Sequence, residues 1–232
     1  MKTMRIAAVL AFCGLILLAG TVAAQTPEER IAAVKKSLAA SVEALQGYEW
    51  TETTVVNYGG EEKSHTMATC SFGPDGKMVK EPVGEAPHHE RKRGLRGRRA
   101  EKKMAEMKEY MSSVSELVHT YVPPDPAKIQ ACKDAGKLDI EVVEVGKTAV
   151  LRLSDYNMAG DSVGIEVDLT HNEIVSYEVN SDLGSGRDPV KLHVSFEKLE
   201  DGTIYPGLTE IDAPAESISV DISNTDYRHA AK

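Results

Sequence analysis

Hydrophobic and polar positions change rhythm along this chain. Ile31, Val34, Leu38, Val42 and Leu45 recur at spacings of three and four, the stripe of an amphipathic helix. Thr26, Pro27 and the acids Glu28 and Glu29 suit its start, and Gly47 closes it. The period then shortens to two. Tyr48–Tyr58 is rich in Thr, Val and aromatic residues, and Gly59-Gly60 makes a hairpin turn. Lys63–Phe72 returns, and a third strand over Lys77–Glu81 follows the turn Gly73-Pro74-Asp75-Gly76.

Residues 84–137 interrupt this texture. Pro82, Gly84 and Pro87 end the third strand, and the spacing predicts a helix over Ala100–Leu117 with Met104, Met107, Met111 and Val114 in one stripe. Pro123-Pro124-Asp125-Pro126 stops it, and a short helix over Ala127–Ala135 ends before Gly136. From Leu138 the chain reads as strands again: Asp139–Val145, Thr148–Leu153, Asp161–Leu169, Glu173–Asn180, Pro189–Leu199, Thr203–Asp212 and Ser217–Ser223. Val163, Ile165 and Val167 alternate with Gly164, Glu166 and Asp168; Val190, Leu192 and Val194 alternate with Lys191, His193 and Ser195. Such alternation belongs to antiparallel sheet with one dry face. The fold expected is α+β: a curved antiparallel sheet, or half-barrel, of about ten strands, with an N-terminal helix and a central helical insertion.

The first residues change the picture of where this fold works. Lys2 and Arg5 precede an apolar run from Ile6 to Leu18, and Val22-Ala23-Ala24 offers the small residues that a signal peptidase needs. The run is too short for a membrane span, which needs about 20 residues. Residues 1–24 therefore read as a cleavable signal peptide and residues 25–232 as one half-barrel domain with its insertion at about 84–137. The expected location is periplasmic or secreted, with no membrane span after processing. In such a compartment disulfides persist, and Cys70 and Cys132 are expected to pair.

Charge is uneven. The chain as a whole carries net −9, yet Arg91, Lys92, Arg93, Arg96, Arg98, Arg99, Lys102 and Lys103 face only Glu101 within thirteen residues. Three uses suit such a run: a solvated loop, contact with the acidic C-terminal sheet face, or recognition of anionic head groups. Arg91, Lys92, Arg93, Arg96, Arg98 and Arg99 are the candidates for anionic contact. Export makes nucleic acid an unexpected partner, and residues 84–99 are expected to be the most mobile part of the domain.

Candidate chemistry is sparse. His88-His89 are adjacent, and the chain has no His-x-x-x-His or Cys-x-x-Cys spacing, so no metal is expected. Ser185 in Gly184-Ser185-Gly186 lacks the strand-to-helix elbow of a nucleophile. The acids Asp155, Asp161, Glu166, Asp168 and Asp182 sit at outward strand positions or turns, where solvation accounts for them. No catalytic residue and no cofactor are expected.

Phe196-Glu197-Lys198-Leu199-Glu200-Asp201-Gly202-Thr203-Ile204-Tyr205-Pro206, ending at Asn224-Thr225-Asp226-Tyr227-Arg228, resembles the tail of a group of uncharacterised secreted bacterial proteins. The order of elements is similar to that of the LolA/LolB-type periplasmic lipoprotein carriers, which set a half-open antiparallel barrel under interrupting helices that act as a lid. That resemblance implies a non-catalytic binding protein holding a lipid, an acyl chain or another apolar ligand. Val163, Ile165, Val167, Val190, Leu192 and Val194 would line its groove, with Met104, Met107 and Met111 as an adaptable lid surface. Only three Phe and one Trp are at hand to fill a wide barrel, which favours an open groove. The alternative is an exported structural or protein-interaction module with a filled core and no small ligand.

Overall fold

The computed structural model describes residues 27–84, 95–122, 124–184, 186 and 188–230. The signal-peptide reading of residues 1–24 and the bases Arg91, Lys92 and Arg93 lie outside the described residues.

The elements are α1 (Pro27–Leu45), β1 (Tyr48–Tyr58), β2 (Glu61–Phe72), β3 (Met78–Val83), α2 (Leu95–His119), α3 (Pro126–Asp134), β4 (Leu138–Glu144), β5 (Thr148–Ser154), β6 (Ser162–Asp168), β7 (Glu173–Asp182), β8 (Pro189–Lys198), β9 (Ile204–Ala213) and β10 (Ile218–His229). All ten strands form one open antiparallel sheet in the order β3-β2-β1-β10-β9-β8-β7-β6-β5-β4. The fold is α+β, as the patterning predicts.

That order explains the insertion. The chain leaves the sheet at one edge, β3, and re-enters at the other, β4. Strands lie about 4.8 Å apart, so the connection must cross the whole sheet. At 1.5 Å per residue, the 25 residues of α2 supply roughly 37 Å of that crossing. The central helices are therefore a bridge laid over one face. Asp125 caps α3 by accepting from the Ala127 N–H at 2.8 Å, and Pro126 opens the helix without losing a hydrogen bond.

Register is pinned by two rows of residues facing one another across the strands. Val56, Val220, Ile211, Leu192, Val179, Val163, Leu153 and Leu138 stand directly opposite in turn, on β1, β10, β9, β8, β7, β6, β5 and β4. Beside them runs Thr54, Ile222, Thr209, Val194, Tyr177, Ile165, Leu151 and Ile140. A slip of one residue at any strand would turn its apolar set to the wrong face. Gly59 and Gly60, both at positive φ, close the β1–β2 hairpin.

Three expectations are corrected. First, α2 begins at Leu95 rather than Ala100, so Arg96, Arg98 and Arg99 belong to the helix. Its Arg, Ala, Glu and Lys residues are good helix formers, which offsets Gly97. Second, β10 runs on to His229, because residues beyond the bulge at Asp226 pair back to Tyr48 and Glu49 of β1. Third, Cys70 and Cys132 are both free thiols. Cys70 lies on β2 opposite Trp50 and Lys80, towards the β3 edge, whereas Cys132 lies on α3 near the Ser154 carbonyl, towards the β4 edge. The crossover that carries α3 over the sheet is what parts them.

Candidate ligand-binding site

The apolar face of the sheet is covered unevenly. Under α1, α3 and the end of α2, Val163, Ile165, Val167, Val179, Leu192 and Val194 are buried in one cluster, against which Val34 and Leu38 of α1 pack. Ser41 is also buried on α1 and accepts from the Ile204 N–H at 3.0 Å. Val42, placed in the same stripe by its spacing, is exposed instead. Three tyrosines complete this cluster: Tyr121, Tyr156 and Tyr177. The only Trp, Trp50, lies elsewhere, stacked on Tyr227 and beside Phe72.

Tyrosine can fill a core only where its hydroxyl finds a partner. For Tyr121 the partner is Asp161, itself buried. Its carboxylate accepts from the Tyr121 hydroxyl at 2.6 Å and from the N–H groups of Tyr156, Asn157 and Met158 at 2.6, 2.9 and 2.9 Å. Ser181 donates to the Tyr121 oxygen at 2.7 Å, and the Tyr177 hydroxyl donates to the Tyr121 carbonyl at 2.9 Å. Burial first, and the Asp161 bond second, push the Tyr121 hydroxyl up to about 12; burial likewise raises Tyr177. Both remain donors at any ordinary pH. The network leaves a void of about 10 Å³ between Leu117, Val118, Tyr121 and the β7–β8 face, about the size that one water needs.

The other half of the face differs. Val190, Ala213, Ile218 and Val220 gather with Val114 of α2, with Met107, Tyr110 and Met111 half-buried against them. Where this second cluster meets solvent it opens into a cleft of about 310 Å³, lined by Tyr58, Lys103, Glu106, Met107, Tyr110, Glu216 and Ile218. Its floor is apolar and aromatic; its rim is charged. The Lys103 ammonium sits over the Tyr58 ring, 4.9 Å from its centre. The Tyr58 hydroxyl first, then Glu216 and Glu106, hold Lys103 above its ordinary range. The Tyr110 hydroxyl donates to Asp188 at 2.6 Å and is raised by burial and that bond.

Against this geometry the expected groove residues divide. Val163, Ile165, Val167, Leu192 and Val194 lie in the filled cluster and Val190 in the second, all six on the same sheet face. Met107 lines the cleft and Met111 packs beside it, but Met104 is 55% exposed. The expectation of an open groove from few Phe and Trp overlooked the eight tyrosines. The signal was present, since Tyr121, Tyr156 and Tyr177 are spaced among acids and hydroxyls able to satisfy them. The tail motif serves the frame. Asp201 accepts from the Tyr48 hydroxyl at 2.7 Å and the Thr203 N–H at 2.9 Å, and the Tyr205 hydroxyl donates to Glu197 at 2.7 Å.

Among the described residues, no group of three or more His, Cys, Asp or Glu side chains is placed to hold a metal ion, and no helix is long and apolar enough to cross a membrane. No known family model matches the chain, and no curated protein matches it. Among solved structures, it is similar to a DUF1329 family protein from Desulfovibrio piger, with 14% identity and a TM-score of 0.39 over 86% of this chain and 94% of that one. A LolA superfamily protein from Nitrosomonas europaea shows 9% identity and a TM-score of 0.39 over the same shares. Scores this low do not bear on function, and the architecture stands on the strand ladder itself.

Proposed function

We propose that the protein is an exported, non-catalytic binding protein that takes an apolar or acyl ligand in the cleft between α2 and the β1–β10 end of the sheet. Residues 1–24 would be removed between Ala24 and Gln25, leaving a single domain in the periplasm or outside the cell. The observation that carries this reading is the cleft. It has about 310 Å³ of space with an apolar floor continuous with the second core cluster, which falls within the range of small-ligand sites. The half-buried methionines Met107 and Met111 can repack around a guest, as thioether side chains do. The ligand site moves from the strand residues Val163–Val167 to the edge of α2.

A fluorescent fatty-acid analogue should bind the exported protein saturably. Met107→Glu places a carboxylate on the cleft floor and should weaken binding at least about tenfold, the cost of an unpaired charge near apolar surface. Lys147→Glu, on the remote β4–β5 turn, should leave binding unchanged. Thermal melts of both variants separate lost binding from lost folding. The packed half of the face favours a second reading, the interaction module with a filled core. That reading takes over if the wild-type protein shows no saturable binding, or if Met107→Glu binds as well as wild type.

A further inference from the structure

The described part of the basic run lies at the start of α2. Five bases, Arg96, Arg98, Arg99, Lys102 and Lys103, share the first nine residues of α2 with one acid, Glu101. Among the described side chains of α2, Met107 is the first to pack against the core. Before that, Arg98 and residues 101–106 are exposed, and Lys103 rests on Tyr58 at the rim of the cleft. Leu95–Lys102, about 12 Å of helix at 1.5 Å per residue, precede Lys103, the first described α2 side chain in contact with β1. Lys102 pairs only with Glu106 of its own helix, at 3.6 Å, with both side chains largely in water. Such a pair contributes little.

This placement works against the isolated protein. Bases at the start of a helix face the positive end of its dipole, and α2 has no acid in its first turn. The expected alternative use, contact with the acidic C-terminal sheet, is met in the described part of the run by Lys103, which lies near Glu216 as well as Tyr58, whereas Lys102 turns to Glu106. The rest of the chain is acidic enough to bring the total to −9, so an anionic plane would attract this end of α2 and repel the sheet behind it.

We infer that the first turns of α2 dock on the surface of an anionic lipid bilayer, with Arg98 and Lys102, one helical turn apart on one face, over the head groups. The helix lies on the bilayer and does not cross it. The inference rests on the charge and exposure of α2 and not on the cleft reading, although docking there would bring the cleft rim to the membrane.

Co-sedimentation of the exported protein with vesicles of phosphatidylglycerol and phosphatidylcholine should show binding that falls steeply between low and high salt. Vesicles of phosphatidylcholine alone should bind little. Each base near an anionic surface is worth about fivefold in affinity, so the variant with Arg96, Arg98 and Arg99 all changed to Gln should bind roughly a hundredfold more weakly. Its melting temperature should be unchanged or higher, because three charges leave the positive end of a dipole. A control with Lys147, Lys191 and Arg228 changed to Gln removes equal charge from the sheet and should bind as wild type. Equal binding to both vesicle types, salt-independent binding, or an equal loss in the control variant overturns the inference, as does absence of vesicle binding. Fatty-acid binding retained in the triple arginine variant keeps this result separate from the fate of the cleft.

Discussion

The two halves of the concave face are built from the same rows of opposed strand residues and are closed in different ways. From β4 to β8 the cover is aromatic and tied down: Tyr121, Tyr156 and Tyr177 fill the space, and one buried carboxylate, Asp161, gathers four donors from α2's end and the β5–β6 loop. Around Val190, Ile218 and Val220 the cover comes from α2, with Met107, Met111 and Tyr110 half-buried and a cleft at the rim. A polar network in a low-dielectric interior is rigid when every member is satisfied. A methionine-lined contact fixes less and adapts more. The difference teaches that a ligand site in this fold need not lie at the centre of the sheet. The site proposed here lies beside α2, where the cover is half-buried methionine and tyrosine.

The contrast can be broken most severely at Asp161. Asp161→Ala leaves the Tyr121 hydroxyl and three backbone N–H groups without their acceptor, which should destabilise the protein by about 3–4 kcal/mol. The urea midpoint should fall with little change in slope. A loss below about 1 kcal/mol would mean that the network does not hold the filled half together.

A paired truncation sharpens the same contrast. Leu153 has no exposed surface in the filled half, so Leu153→Ala should cost about 3 kcal/mol, with a cavity left behind. Met107→Ala, at the cleft, should cost under about 1 kcal/mol, in keeping with a half-exposed site. Similar losses in the two variants, read from urea curves side by side, would erase the distinction between packed and adaptable cover.

The smallest effect lies on the rim of the filled half, at the β6–β7 turn. Asp168 accepts from the His171 ring at 2.8 Å and from the N–H groups of Thr170 and His171. The His171 bond foremost holds its carboxyl down to about 2. A carboxyl lowered on folding adds stability that is complete above its unfolded value near 4. That stability is lost as pH falls through about 2. His171→Ala should raise the Asp168 value towards the ordinary range, measurable by NMR titration. The stability lost between about pH 4 and pH 2 should then be smaller, because the folded and unfolded values lie closer together. At neutral pH the loss should stay under about 1 kcal/mol, because the pair is partly in water. An Asp168 titration unmoved by the substitution would assign the lowering to the backbone N–H groups instead.

Much of this architecture was legible before any coordinates, for reasons that differ by element. Val163-Gly-Ile-Glu-Val167 and Val190-Lys-Leu-His-Val194 declare strand and face together, because a period of two matches only a pleat with one dry side. Gly59-Gly60 and Asp125-Pro126 declare a hairpin and a helix start through local geometry alone. β10 beyond Ser223 carries no such alternation. Asn224 to His229 are polar or aromatic, and pairing across the whole domain to Tyr48 and Glu49 makes them a strand.

What the amino-acid order determined by itself was therefore local: the helices, most strands, their dry faces, and a basic run in an acidic chain. Tertiary structure alone decided which strand neighbours which. It set β3 and β4 at opposite edges, sent α2 and α3 across the sheet between them, and so parted Cys70 from Cys132. It also decided that the centre of the face is filled while its α2 edge is open. The physical reason is that periodicity records which side of an element is dry, whereas the volume left between dry surfaces depends on how separate elements meet. Three tyrosines, their hydroxyls held by Asp161, the Tyr121 carbonyl and the Asp125 backbone, close that volume in one half, and no period in the sequence records the space left in the other.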